Sequence, residues 1–270
     1  MERIDSHVHF WDLANKMNSW VLNADKKLQR SFLPDALPKH KLVHIEAHDS
    51  NMDTLKEVEW LKHFGDVEMR FISYADFFQP VSIFEKEIQR LAANKKIVGV
   101  RQIMAYHSTA SYSPLKEDKR PRDFKTKLEI LKKQDFVFEC QMYPLQLINC
   151  LNDIGESGVS AVVEHMGLPL VDNDSELQTW RAMIKAMAEY ENMVLKLSGF
   201  FMLNHEVTEL KRCMEHILSH IPANRLCYGS NYPVCNSDDY SAWYRCLKRY
   251  IPVEKQRDIF YDTAYRIYWN

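Results

Sequence analysis

The sequence predicts an α/β protein, a (β/α)8 TIM barrel. Three observations carry the prediction. Eight short runs rich in β-branched and aromatic residues recur along the chain. Helical patterns occupy the gaps between them. The length of 270 residues suits one such barrel, which takes about 250 residues.

The eight runs are residues 3–9, 42–47, 69–75, 97–103, 136–142, 161–166, 194–198 and 225–230. Each spacing leaves room for a strand, a helix and two loops. Residues 54–64 place Leu55, Val58, Leu61 and Phe64 on one helical face. Ser82 and Glu85 have capping-box spacing, and Phe84, Ile88 and Leu91 follow at helical period. Residues 175–190 align Leu177, Trp180, Ile184 and Met187, and residues 207–218 align Val207, Leu210, Met214 and Ile217. These stripes read as sheet-facing surfaces, with no cofactor box among their Met and Trp residues. Strands alternating with helices imply parallel pairing through right-handed crossovers, and eight units favour closure. The first strand-to-helix turn lacks GxGxxG, and neither a P-loop nor GxSxG occurs.

No linker or low-complexity tract divides the chain, so a single domain over 1–270 is expected. A formal net charge of −2 with scattered Lys and Arg argues against nucleic acid. No apolar stretch reaches the roughly 20 residues of a membrane helix, and no secretory leader is apparent. Six cysteines without a CxxC pair read as reduced thiols. The expected setting is cytoplasmic, with a small-molecule substrate as partner and a homo-oligomer left open.

In a barrel, chemistry gathers at the C-terminal ends of the strands. Ile4-Asp5-Ser6-His7-Val8-His9 is the sharpest case. Residues two apart on a strand share a face, so His7 and His9 point into one mouth. Two imidazoles there bind a divalent metal or polarise a substrate oxygen. Asp5 shares their parity and is placed to orient an imidazole from below. Glu46 and His48 end the second run and share parity. Arg101 and Gln102 end the fourth, where an arginine suits a substrate oxygen. Glu139 and Gln141 lie on the fifth. Glu164-His165 ends the sixth, where His165 either completes a three-histidine set or hydrogen-bonds a loop. Asn231 follows the eighth. Trp11 and Tyr232 are weaker pocket candidates. Specificity is expected from the loops 11–38 and 106–123.

Taken in order, these pieces resemble the amidohydrolase superfamily, in its amidohydrolase-2 branch of sugar lactonases and 2-pyrone-4,6-dicarboxylate lactonase. Ile4-Asp5-Ser6-His7-Val8-His9-Phe10-Trp11-Asp12 resembles the branch's opening signature. His44-Ile45-Glu46-Ala47 with Glu57-Val58-Glu59-Trp60-Leu61 is similar to its second unit. Val98-Gly99-Val100-Arg101-Gln102, Glu164-His165-Met166-Gly167-Leu168-Pro169 and Lys196-Leu197-Ser198-Gly199 are similar to its fourth, sixth and seventh strands. Tyr228-Gly229-Ser230-Asn231-Tyr232-Pro233-Val234 is similar to its eighth.

The resemblance implies hydrolysis of a small carboxylated or sugar-derived lactone. His7, His9 and His165 would surround the reacting carbonyl, with one divalent metal, Zn or Mn, or without one. Most relatives carry aspartate where this chain has Asn231, and a neutral amide does not accept the proton of an attacking water. The base would then be His165, Glu46 or Glu139, or a metal-bound hydroxide would lessen the need for one. Lys196 is structural by the resemblance, which makes no case for a carbamylated bridge. Asp262-Thr263-Ala264 stands where relatives often carry Asp-Asn-Ala. Two rival expectations are a metal-dependent decarboxylase of the same superfamily and a ligand-binding barrel with little turnover, the latter motivated by Asn231.

Overall fold

The computed structural model describes residues 2–203, 205–235 and 238–270. Its strands are β1 (Ile4–Val8), β2 (Lys41–Ile45), β3 (Met69–Tyr74), β4 (Ile97–Ile103), β5 (Val137–Gln141), β6 (Ala161–Val163), β7 (Met193–Leu197) and β8 (Leu226–Tyr228). They form one parallel sheet in chain order. The seam closes just beyond β8. There the Asn231 N–H donates to the His7 carbonyl at 2.9 Å, and the His9 N–H donates to the Tyr232 carbonyl at 2.8 Å.

The helices are α1 (Thr54–Leu61), α2 (Val81–Ala92), α3 (Phe124–Lys133), α4 (Pro144–Ser157), α5 (Asp174–Ala188), α6 (Val207–His220), α7 (Ala242–Leu247) and α8 (Thr263–Tyr268). The expected apolar stripes are buried at Val58, Leu61, Phe84, Ile88, Leu91, Leu177, Trp180 and Ile184. The capping box is corrected. α2 begins at Val81 with Pro80 as its cap, so Ser82 lies inside the helix and makes no cap bond. Proline's fixed φ and missing N–H make it a ready helix opener.

The barrel interior is layered. At the bottom, Ile4, Val43, Val137, Val162, Val194 and Cys227 pack together. Ala264 and Tyr268 of α8 join that cluster and plug this end. Above them lies a buried ion pair. The Lys196 ammonium donates to both Glu139 oxygens at 2.8 Å and to the Ser6 carbonyl at 2.8 Å. The Tyr268 hydroxyl donates to the same carboxylate. Glu139 is therefore a strut under the site, which removes it as a base at the mouth. Lys196 is likewise held as part of the frame.

The expected role of Asp5 is also corrected. β1 is bulged between Asp5 and Val8, and a bulge breaks the strict period of two. Asp5 accepts from the His7 and Ser230 backbone N–H groups at 3.2 and 2.8 Å and from the Tyr240 hydroxyl at 2.8 Å. It braces the seam and orients no imidazole.

Candidate active site

A cavity of about 330 Å³ opens at the C-terminal end of the barrel. That is near the low end for a small-molecule site. His9, Glu46, His48, Arg101, Gln141, His165 and Asn231 line it. His7 lies beneath, fully buried. The loops supply Trp20, Tyr112 and Pro114, and residues past β7 and β8 supply Met202 and Val234.

Gln102 and Trp11 are not brought to this cavity. Adjacent strand residues face opposite ways. With Arg101 inward, Gln102 turns outward, accepts from the Phe77 N–H at 2.7 Å and donates to Asp76 at 3.0 Å. Trp11 packs edge-on against Trp20 and Phe32 and donates to the Arg30 carbonyl at 2.7 Å. It supports Trp20, which reaches the cavity in its place. Tyr232 packs edge-on against Phe32 and Tyr240.

The histidines converge at the floor. The His7 ring lies 4.9 Å from that of His9 and 4.6 Å from that of His165. The His9 Nδ1–H donates to the Ile45 carbonyl at 2.9 Å, which leaves its Nε2 lone pair pointing inward. That Nε2 faces His7 Nε2 at 3.1 Å. His7 Nδ1 lies 3.6 Å from Glu164 Oε1, and neither atom has a hydrogen-bond partner.

Neither tautomer of His7 satisfies both neighbours. A proton on Nε2 leaves a lone pair against a carboxylate. A proton on Nδ1 leaves two lone pairs opposed. A cation held among these groups removes the conflict. His7, Glu164 and His165 are the one such group found among the described residues, with ligand atoms within 4.8 Å of one another. The donor set of imidazoles and a carboxylate fits a divalent transition metal.

Burial, reinforced by neighbouring positive groups, holds all three imidazoles well below the ordinary range, His9 at about 3. They are neutral at physiological pH, with lone pairs free to bind. Arg101 spans the cavity wall. Its Nε donates to Glu46 Oε1 at 2.8 Å, Nη1 to Glu164 Oε2 at 3.2 Å and Nη2 to the Glu46 carbonyl at 2.9 Å. Burial pushes the Glu46 carboxyl up, although Arg101 opposes the shift.

Backbone geometry sets these side chains. His165 and Asn231 adopt φ of 53° and 57°. Asparagine tolerates this left-handed conformation better than most residues. Ser198 Oγ lies 2.9 Å from His165 Nδ1. Gly199, at φ 62°, leaves the room. A Cβ there would stand 2.3 Å from His165 Nδ1. Gly199→Ala is expected to destabilise the fold by about 1–3 kcal/mol through strain and displacement of His165. Urea unfolding measures it, and an unchanged midpoint would contradict this packing.

Sequence reasoning did not single out Trp20, Tyr112 or Glu57. Glu57 is buried on α1 between His44 and His48, at 3.4 and 3.2 Å. Its signal was present, since it lies four residues before Leu61 and therefore on the buried face. Trp20 and Tyr112 sit on irregular loops, where periodicity gives no direction.

The amidohydrolase family model matches residues 4–269. The L-fucono-1,5-lactonase of Burkholderia multivorans is 25% identical, covering 86% of this chain and 82% of that one. Among solved structures, an amidohydrolase from Burkholderia multivorans with bound zinc superposes with a TM-score of 0.77 at 21% identity, covering 99% of each chain. A probable 2-pyrone-4,6-dicarboxylic acid hydrolase from Acinetobacter baumannii does so at 0.71 and 16% identity, again with 99% of each covered. At these identities the superpositions speak for the barrel alone. The family match runs from the first strand to the last helix, and the chain belongs to the amidohydrolase family.

Proposed function

We propose that this protein is a hydrolase that opens a small, neutral, sugar-derived lactone. The observation that carries the reading is the cluster of His7, His9 and His165 against Glu164 at the cavity floor. The lone pairs of these neutral imidazoles are placed to hold a cation that would polarise an ester carbonyl, and a ring N–H turned to the carbonyl oxygen would do so directly. His7, His9, Glu164 and His165 would hold one divalent metal. Such an ion, when bound, supplies Lewis-acid polarisation of the carbonyl.

Charge decides between a carboxylated and a neutral substrate. Among the described residues, Arg101 is the one Lys or Arg side chain on the cavity wall. Each of its guanidinium nitrogens already meets Glu46 or Glu164. A substrate carboxylate would have to displace one of these carboxylates and would face the other. A polyhydroxylated lactone instead finds acceptors in Glu46 and Gln141 and aromatic walls in Trp20 and Tyr112. The same charge pattern disfavours a decarboxylase, whose substrate also carries a carboxylate.

The test is lactone opening, followed by proton release, on a panel of neutral and carboxylated lactones, with the metal content measured in parallel. Neutral aldonolactones are expected to give a kcat/KM at least about tenfold higher, a difference of about 1.4 kcal/mol. Absence of turnover across the panel would remove the lactonase reading. Preference for carboxylated substrates would reverse the specificity.

A further inference from the structure

A hydrogen-bond chain runs along the cavity wall, and one end of it fixes its direction. Arginine carries N–H donors and no acceptor, so the atom of the Gln141 amide that faces Arg101 is the oxygen. Arg101 Nη1 donates to Gln141 Oε1 at 3.4 Å. The amide nitrogen is thereby turned the other way, and it donates to the Tyr112 hydroxyl oxygen. A phenol that accepts on its oxygen keeps its own proton for a further partner. Among the described residues, no acceptor meets that proton. Tyr112 is half-buried and lines the cavity, which is where the proton can be used. Each donation polarises the next group along the chain. Burial pushes the phenol up, so it keeps its proton through the physiological range.

The ring is held in place in advance. Tyr112 sits on the strap between β4 and α3. The Tyr143 hydroxyl donates to the Tyr112 carbonyl at 2.6 Å. The Leu115 N–H donates to the Ala105 carbonyl at 3.2 Å, and the His107 N–H donates to Ser113 Oγ at 3.0 Å. His107 Nε2 lies 3.2 Å from Glu176 Oε1 of α5. None of these anchors uses the Tyr112 hydroxyl, which is left for a ligand. Such preorganisation lowers the ordering cost of binding.

The surrounding wall supplies no equivalent donor. Arg101 spends its N–H groups on Glu46, Glu164 and Gln141. The Trp20 Nε1–H donates to the Ala47 carbonyl, so that side chain offers its ring face. Pro114, Met202 and Val234 bring no polar hydrogen from their side chains.

We infer that Tyr112 is a specificity-determining residue, whose hydroxyl donates to a substrate hydroxyl oxygen away from the reacting carbonyl, and that Gln141 is its positioning residue. The inference rests on the lactonase reading above and deepens it. A lactone that carries a hydroxyl at that place pairs with the phenol proton. A lactone with a bare carbon there leaves the proton without a partner in a half-buried wall, and sites built to bind a hydroxyl discriminate on that ground. The interaction is the same in the bound substrate and the transition state, so it belongs in KM.

The experiment uses the native protein, a neutral aldonolactone it hydrolyses and the set of its monodeoxy analogues. One deoxy analogue is expected to lose about tenfold in kcat/KM with the native protein. Tyr112→Phe should lose about tenfold on the parent lactone, chiefly through KM, and should no longer distinguish the parent from that one analogue. The strap holds residue 112 by its backbone carbonyl, so this substitution leaves the anchor in place. Gln141→Glu tests the direction of the chain. A carboxylate only accepts, so the phenol proton turns to it and the same discrimination should disappear. A Tyr112→Phe protein with native kcat/KM on the parent overturns the inference. So does an equal loss on the parent and every deoxy analogue, which marks a structural role, and so does a loss confined to kcat. Gln141→Glu with full discrimination overturns the positioning role. If the native protein opens no lactone, the functional reading falls by itself, and calorimetric binding of the same set carries the Tyr112 comparison.

Discussion

Lys196→Met is expected to destabilise the protein by about 3–5 kcal/mol, the range for breaking a buried ion pair on one side. Both partners are fully buried. The methionine would fill most of the lysine's volume, so packing is not the main loss. Glu139 would be left as a buried anion with one hydroxyl, that of Tyr268, as its donor. The Ser6 carbonyl would also lose its ammonium. Burial already pushes the Glu139 carboxyl up against the pull of Lys196. Without the lysine it rises further in the folded state only. The variant's deficit should then shrink as the pH falls, because the folded form takes up a proton sooner than the unfolded chain. Replacing both partners, Lys196→Met with Glu139→Leu, should recover a large part of the loss. Urea unfolding at two pH values measures all three effects. A single variant as stable as native would show that the pair contributes little.

His7→Ala is expected to lower lactone turnover by about 10²–10³ while the chain stays folded. His7 touches both His9 and His165 and is the member closest to the unpaired Glu164 oxygen. In the proposed reaction its loss removes one imidazole from the carbonyl site, while His9 and His165 stay fixed by the Ile45 carbonyl and by Ser198. Groups that act as a unit do not add. His7→Ala with His165→Ala should therefore cost scarcely more than His7→Ala alone. Steady-state kinetics give the comparison, and near-native kcat in a folded His7→Ala protein would remove the histidine cluster from the mechanism.

The fold was legible because eight apolar runs and the helices between them have distinct periods. Errors gathered at the upper ends of the short strands. The run 161–166 extends beyond Ala161–Val163, and 225–230 beyond Leu226–Tyr228. There the chain leaves the ladder and turns left-handed at His165, Met166, Leu168 and Asn231. Composition does not announce such turns, since Met and Leu disfavour that conformation and Asn and His adopt it only as a minority choice.

Site residues on strands were placed by parity, and the same rule limits what parity gives. Arg101 and Gln102 could not both face inward. Glu139 and Gln141 share a face but differ by a full layer, so one braces the frame while the other meets the cavity. The bulge in β1 hid the role of Asp5. The partnership of Glu57 with His48 joins a helix to a loop, which a periodic pattern does not connect.

The hydrogen bonds that tie Asn231 and Tyr232 to His7 and His9 also set an order of events during synthesis. The first strand leaves the ribosome before the eighth and has no lateral neighbour on one flank until residue 232 has emerged. A nascent chain ending within α6 carries seven strands and an open edge, and open edges invite pairing with other chains. His7 and His9 thus acquire these backbone partners only after the eighth strand has formed. Fragments truncated before the eighth strand should be aggregation-prone rather than weakly active.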